Sequence, residues 1–202
     1  MIQTEIDRVD RLIEQLLAYA RPAPVQRGPV DVPALIERTL TLTRAYAAQH
    51  GIALSVEVDE TLPLVEGDAE MLHQALVNLL LNGINATDAG GQVHVHAGMQ
   101  GAEEAPAFVA LTVQDTGRGI AADDLPHVFD PFFTTRVDGT GLGLSIVQQI
   151  VQEHYGTVDV QSTPGEGTRF TVRLPVLPGA PASALAPADM TSGAHYSNGL
   201  DD

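Results

Sequence analysis

The sequence predicts an α+β protein: a two-layer α/β sandwich, with a mixed sheet carrying helices on one face, preceded by a coiled-coil-type helix. Two observations carry this reading. Strand-period and helix-period segments are interspersed without the strict βαβα alternation of a doubly wound sheet. Residues 1–20 follow a separate apolar repeat and are set off from the rest by a stretch rich in Pro and Gly.

Along the chain, Ile2, Ile6, Val9, Ile13, Leu16 and Ala20 are spaced alternately four and three residues apart, the seam of a coiled coil. So short a repeat is marginal alone, so the stripe needs a second helix, from an upstream segment or a second copy. The alternative is an amphipathic helix lying on its own domain. Pro22, Pro24, Gly28 and Pro29 then mark a linker. A helix is expected from Pro33 to Gln49, with Gly51 beyond its end, and residues 52–58 alternate as a strand. A long helix follows from near Asp68, a suitable N-cap. "QVHVHAGM" and "FVALTVQD" read as strands, and residues 116–140 as loop with a short helical piece around Ala122–Val128. The last helix spans about 141–155. "GTVDVQS" and "TRFTVRLP" form a hairpin closed by "TPGEG". From Pro178 the chain is aperiodic Ala, Pro, Ser and Gly, the composition of a disordered tail. The resulting division is 1–21 helix, 22–29 linker, 30–177 main domain and 178–202 tail.

Composition narrows the chemistry. The formal net charge is −16, and all ten basic residues are Arg. Nucleic acid is therefore an unsuitable partner. Without Lys there is neither a P-loop lysine nor a Schiff-base nucleophile. Without Cys there is no disulfide, thiolate catalyst or Cys-ligated zinc. No apolar run is long enough to cross a bilayer, and "MIQTEIDRVD" lacks the pattern of a signal peptide, so a cytoplasmic location is expected.

Three local patterns carry chemistry. On the long helix, Asn78, Asn82 and Asn85 fall within about 60° of one another, with Gln74 beside them, at 100° per residue. Leu72, Leu76, Leu79 and Gly83 cluster on a different face. Amides can ligate a hard cation through oxygen and donate through nitrogen; a solvated polar stripe is the plainer reading. On the strand ending in Asp115, that carboxylate shares parity with Val109, Leu111 and Val113 and should point inward. A buried carboxylate needs hydrogen-bond donors, and an exocyclic amine such as adenine's would serve. A turn ending the strand is the alternative. Finally, "GTGLGL" opens a helix with little more than bare backbone. Its unpaired amides and the helix dipole suit a phosphate, and Arg136 can add positive charge; a flexible loop is the alternative.

In their order along the chain, these segments resemble the catalytic ATP-binding domain of sensor histidine kinases. Its superfamily includes DNA gyrase, the heat-shock-ninety chaperones and MutL proteins. "NLLLNGINAT" (78–87) resembles the N box, "DTGRGI" (115–120) the first glycine box, "FDPFFTT" (129–135) the F box and "GTGLGL" (139–144) the second glycine box. The style is similar to the nitrogen-regulation type of kinase. The resemblance implies a Bergerat-type fold, a left-handed βαβ sandwich, with ATP and Mg²⁺ as cofactors. It implies that Asn82 holds the metal, and that Asn78, Asn82 and Arg136 serve phosphoryl transfer. Asp115 would bind the adenine amine, with Gly117, Gly119 and Ile120 along the base. Gly139, Thr140, Gly141, Leu142, Gly143 and Leu144 would meet the phosphates. Asn85, Phe129, Thr135 and Thr168 complete the implied nucleotide contacts, and Phe129, Phe132 and Phe133 would anchor a lid over residues 116–140.

The resemblance also implies partners: a response-regulator receiver domain, an upstream sensor with the acceptor-histidine helix, and a second copy joined through residues 1–20. None of the seven histidines sits in the family's acceptor box. The chain thus reads as a kinase region without its acceptor. His94 and His96 share one strand face, which suits solvent better than a metal pair, and His73 should be packed. Three positions depart from the pattern: Gly83 where Ala is common, Asn85 where some kinases carry a basic residue, and "HYG" at 154–156 where "HGG" is frequent. The superfamily's ATPases carry Glu one helical turn before the metal-binding Asn; here Asn78 stands there, and an amide cannot be a general base. Slow hydrolysis is therefore expected. The competing readings are a same-fold ATPase or serine kinase and a non-catalytic, nucleotide-dependent docking module.

Overall fold

The computed structural model describes residues 24–101, 108–136 and 139–177. The predicted helix at 1–20 and the tail from 178 lie outside the described residues. The described chain forms β1 (Gly28–Val30), α1 (Val32–Gln49), β2 (Ala53–Val58), β3 (Val65–Gly67), α2 (Ala69–Ala86), β4 (Gln92–Gln100), β5 (Phe108–Asp115), a 3₁₀ turn (Leu125–His127), α3 (Gly143–Glu153), β6 (Thr157–Thr163) and β7 (Gly167–Pro175).

Five strands make the main sheet in the order β2-β4-β5-β7-β6. β2 and β4 run parallel, and every other neighbouring pair is antiparallel. The alternation read from the sequence sets which face is dry. Val93, Val95 and Ala97 of β4, Val109, Leu111 and Val113 of β5, and Phe170, Val172 and Leu174 of β7 are buried against the helices. Their alternates, including His94, His96, Gln114, Arg169 and Arg173, form the polar outer face. His94 and His96 there approach Glu57 and Asp59 at 3.8 and 3.9 Å. The helices contribute Leu35, Ile36 and Leu40 (α1), Leu72, Leu76, Leu79 and Leu80 (α2) and Ile146, Val147, Ile150 and Val151 (α3) to the same core.

Asp68 caps α2 as the sequence predicts, and Asp31, which the sequence analysis did not single out, caps α1 in the same way. Asp31 Oδ1 accepts from Ala34 N at 3.0 Å, and Asp68 Oδ1 from Glu70 N at 3.0 Å and Met71 N at 3.3 Å. α3 is different: it starts at Gly143 rather than about 141, and no side chain caps it.

Two short strands are absent from the sequence reading. β1 pairs with β3, Gly28 opposite Gly67, so the ladder begins two residues inside the segment read as linker. Three-residue strands have too little period to register. Their place is set by contacts distant in sequence. Gln26 N donates to Asp68 Oδ2 at 2.9 Å, and Arg27 Nη2 to Glu153 O at 2.7 Å, with its guanidinium 4.6 Å from the Tyr155 ring centre.

His154 ties this corner together. It is 1 % exposed. Its Nε2 accepts from Asp68 N at 2.8 Å, so the ring proton is on Nδ1, which donates to Ile150 O at 2.6 Å. The end of α3 is thereby fastened to the start of α2. His154→Leu keeps the bulk but leaves the Asp68 N–H unpaired, so it should lower unfolding free energy by about 1–3 kcal/mol. A urea titration showing a change below about 0.5 kcal/mol, the scale of an inert surface substitution, would contradict this role.

Candidate nucleotide site

A cavity of about 370 Å³ opens between α2, the end of β5, the loop after it, the start of α3 and the near end of β7. Asn78 and Asn82 reach it from α2, Asp115 from β5, and Thr168 from β7; Gly119, Ile120, Thr135, Arg136, Gly139, Thr140, Gly141, Gly143 and Leu144 also line it. Four segments separate in sequence thus converge on one space.

At one end stands Asp115, 3 % exposed. Its Oδ1 accepts from Gly117 N at 2.8 Å and Thr168 N at 3.1 Å, which joins β5 to β7. Among the described residues, Oδ2 has no protein donor. Burial pushes the Asp115 carboxyl above the ordinary carboxylate range, and the two amides offset this only in part. β7 can approach this closely because its first residue is Gly167, at φ +108°, where a Cβ would lie 2.0 Å from Asp115 O.

At the other end the α3 amides face the cavity without a side-chain cap. Asn78 Nδ2 lies 3.4 Å from Gly143 O, pinning the helix start to α2. Thr140 Oγ1 accepts from Leu142 N at 3.3 Å. Gly141, at φ +70°, presses on the preceding loop: a Cβ there would fall 2.3 Å from Phe132 C, and Phe132 N donates to Gly141 O at 2.9 Å. Asn82 makes no hydrogen bond to protein among the described residues, so its amide is presented to the cavity. An amide oxygen beside an uncapped helix start suits a hard cation bridging to an anion.

Several residues named from the sequence stand apart from the cavity. Asn85 turns towards α1, its Oδ1 accepting from Tyr46 Oη at 2.9 Å. Leu142 is 1 % exposed and belongs to the core. Gly117 backs the base loop against Ala86 O. Phe129 meets Phe170 edge-on at 6.3 Å, which fastens this loop to the core; Phe133 lines the cavity, whereas Phe132 is 62 % exposed. His73 is packed, with burial lowering its pKa. Residues the sequence reading passed over also line the space, among them Leu81, Ala86, Arg118, Asp124, Thr134 and Phe170. Phe170 shares parity with Thr168 on β7, and Leu81 and Ala86 flank the Asn stripe, so their positions were within reach of the pattern. Arg118, Asp124 and Thr134 lie in irregular loop, where no period operates.

A buried carboxylate at one end, an uncapped helix start at the other and amides between them define a nucleotide-binding sandwich domain. Residues 67–178 match the family of histidine kinase-, DNA gyrase B- and HSP90-like ATPases, and the chain belongs to that family. It is 41% identical over 172 residues to the sensor histidine kinase ZraS of Escherichia coli K12, covering 85% of this chain and 36% of that protein. It is 36% identical over 178 residues to the histidine-protein kinase AtoS of the same organism, covering 88% of this chain and 29% of that one. The chain thus spans about a third of these curated relatives. Among solved structures, full-length ShkA in complex with AMPPNP superposes with TM-score 0.75 at 29% identity, covering 86% of this chain and 37% of that one. The histidine kinase ThkA in complex with the response regulator TrrA gives 0.72 at 26% identity, covering 88% and 50%.

Two outcomes are expected. Gly141→Ala forces a left-handed residue to carry a Cβ against Phe132, at about 1–2 kcal/mol for the conformation alone; a lower melting temperature and weaker nucleotide binding should appear together. For Asp115, the ionised carboxylate is the acceptor an amine needs. Because its folded pKa is raised, protonation sets in at a higher pH than for an ordinary Asp. Nucleotide affinity should therefore fall on acidification while the stability cost of the buried charge is relieved. In Asp115→Asn the two backbone amides claim the amide oxygen, which leaves NH₂ facing the cavity. ATP affinity should drop about 10- to 150-fold, the range for a hydrogen bond to a charged group, and the acid step should vanish in calorimetric titrations.

Proposed function

We propose that this chain is the catalytic region of a two-component sensor histidine kinase. It binds ATP with Mg²⁺ and delivers the γ-phosphoryl group to a histidine on a dimerisation domain, for onward transfer to a response-regulator receiver. The observation that carries the reading is the convergence of Asp115, Asn82 and the uncapped start of α3 on one cavity. Asp115 would take the base amine, and the α3 amides with Arg136 the phosphates. Asn82 would hold Mg²⁺, which supplies neutralisation of phosphate charge during transfer. The residues fit the metal because Asn82 offers an amide oxygen that no donor among the described residues occupies. The kinship with ZraS and AtoS, and the AMPPNP and response-regulator complexes of ShkA and ThkA, support the same reading.

Asn78 separates transferase from hydrolase. It stands one turn before Asn82, is neutral, and is engaged with Gly143 O. It cannot take a proton from water, so bound ATP should be spared for an imidazole acceptor. Residues 1–21 would supply the second helix of the dimerisation and phosphotransfer hairpin and bring two copies together. Work on the cytoplasmic side of a membrane fits this role; among the described residues no helix is long and apolar enough to cross one.

With labelled ATP and an added cognate acceptor-histidine domain, the chain should produce acid-labile, base-stable phosphoprotein and release free phosphate slowly. Asn82→Ala should reduce transfer by at least about tenfold, with a smaller effect on adenine-nucleotide affinity, as expected for charge stabilisation at the transferred group. Acid-stable phosphate would point to a serine kinase instead. Binding without any transfer would indicate a docking module, and normal transfer by Asn82→Ala would reject its metal role.

A further inference from the structure

The base end of the cavity contains a hydroxyl whose direction is decided one strand away. Ser162 on β6 is the direct cross-strand partner of Thr168 on β7. Its Oγ accepts from Ile120 N at 2.8 Å, donates to Gly167 O at 2.8 Å and lies 3.0 Å from Thr168 Oγ1. A serine hydroxyl has one proton. If that proton went to Thr168, the Ser162 and Gly167 oxygens would face each other at 2.8 Å with no hydrogen between them. The proton therefore belongs to Gly167 O, and the contact with Thr168 is donated by Thr168. This uses the one hydroxyl proton Thr168 has, so its hydroxyl oxygen meets the cavity as an acceptor.

Asp115 gives a second acceptor beside it. Its Oδ1 is taken by Gly117 N and Thr168 N, which leaves Oδ2 for the cavity. The ligand therefore meets two acceptors from Asp115 and Thr168 and no hydroxyl proton. An exocyclic amino group has two protons to give such a pair, whereas a carbonyl in the same place would oppose both.

We propose that Ser162 is a positioning residue for base selectivity: by holding the Thr168 proton away from the cavity, it makes this end read an amine and reject a carbonyl. The inference rests on the nucleotide reading of the cavity. Ser162 touches no ligand in this account and acts only through Thr168 and Ile120, from the strand at the far edge of the sheet.

Calorimetric binding of ATP and inosine triphosphate tests it, since these differ where one base carries an amine and the other a carbonyl. The unaltered chain should prefer ATP. Ser162→Ala frees the Thr168 proton to turn towards the ligand, and the ratio of ATP to inosine triphosphate affinity should fall about three- to tenfold, the range of one neutral hydrogen bond. Ser162→Thr, which keeps a hydroxyl, should restore the ratio. Thr168→Val should lower it too, and adding Ser162→Ala to Thr168→Val should lower it no further. An unchanged ratio in folded Ser162→Ala, or equal weakening of both nucleotides, would overturn the proposal by making Ser162 only a prop for the loop. Should Ser162→Ala not fold, an unchanged ratio in Thr168→Val would do the same. If the unaltered chain bound neither nucleotide, the nucleotide reading would fall first; if it bound both equally, only the selectivity inference would.

Discussion

Asp115 is the constraint on which the rest of the site turns. A carboxylate this deeply buried is tolerated only with donors in place. The two it has come from different elements, Gly117 in the loop after β5 and Thr168 in β7. Satisfying one oxygen therefore fixes the β5–β7 junction, aims the glycine loop and leaves the second oxygen facing the cavity. Gly167 is the steric condition for this, because any side chain there would strike the Asp115 carbonyl. Burial and strand pairing are here one arrangement rather than two.

The opposite end solves a different problem. On the proposed reading, a strongly acidic chain with no Lys meets polyanionic phosphate with two arginines, Arg118 and Arg136, on the cavity lining. Backbone amides at an uncapped helix start supply partial positive charge that is independent of net charge and of pH. Asn78 ties that helix start to α2 through Gly143 O. The loop preceding α3 is anchored at Phe129 on Phe170 and at Phe132 on Gly141.

Far from the cavity, His154, Asp68, Gln26 and Arg27 form a second, hydrogen-bonded corner of the domain. Burial pushes the Asp68 carboxyl up, but the amides of Gln26, Met71 and Glu70 outweigh it and hold the group below its ordinary value. One side chain thus caps α2 and grips the incoming chain. Tyr155 sits at φ +55° where the related pattern has glycine, and Arg27 lies over its ring. Gln26 and Arg27 are held by this packing, even though the Pro- and Gly-rich composition around them suggests freedom.

Much was legible without coordinates. The strands β2, β4, β5, β6 and β7, the helix α1 to within a residue or two, the start of α2 with its Asp68 cap and the inward aim of Asp115 followed from period, parity and cap chemistry. These are local rules, and the chain obeys them wherever one face is buried. The sequence by itself also determined which chemistries were closed, through the absence of Lys and Cys. Only the tertiary structure decided what depends on partners distant in sequence. It turned Asn85 to Tyr46 and away from the cavity, sent Leu142 into the core, paired β1 with β3, and brought Arg118, Asp124 and Thr134 to the rim. It also set the direction of the Thr168 proton through Ser162. The physical reason is the same in each case: a side chain's stripe or strand parity is encoded nearby, but which neighbour it meets is chosen by packing across the sheet and between helices.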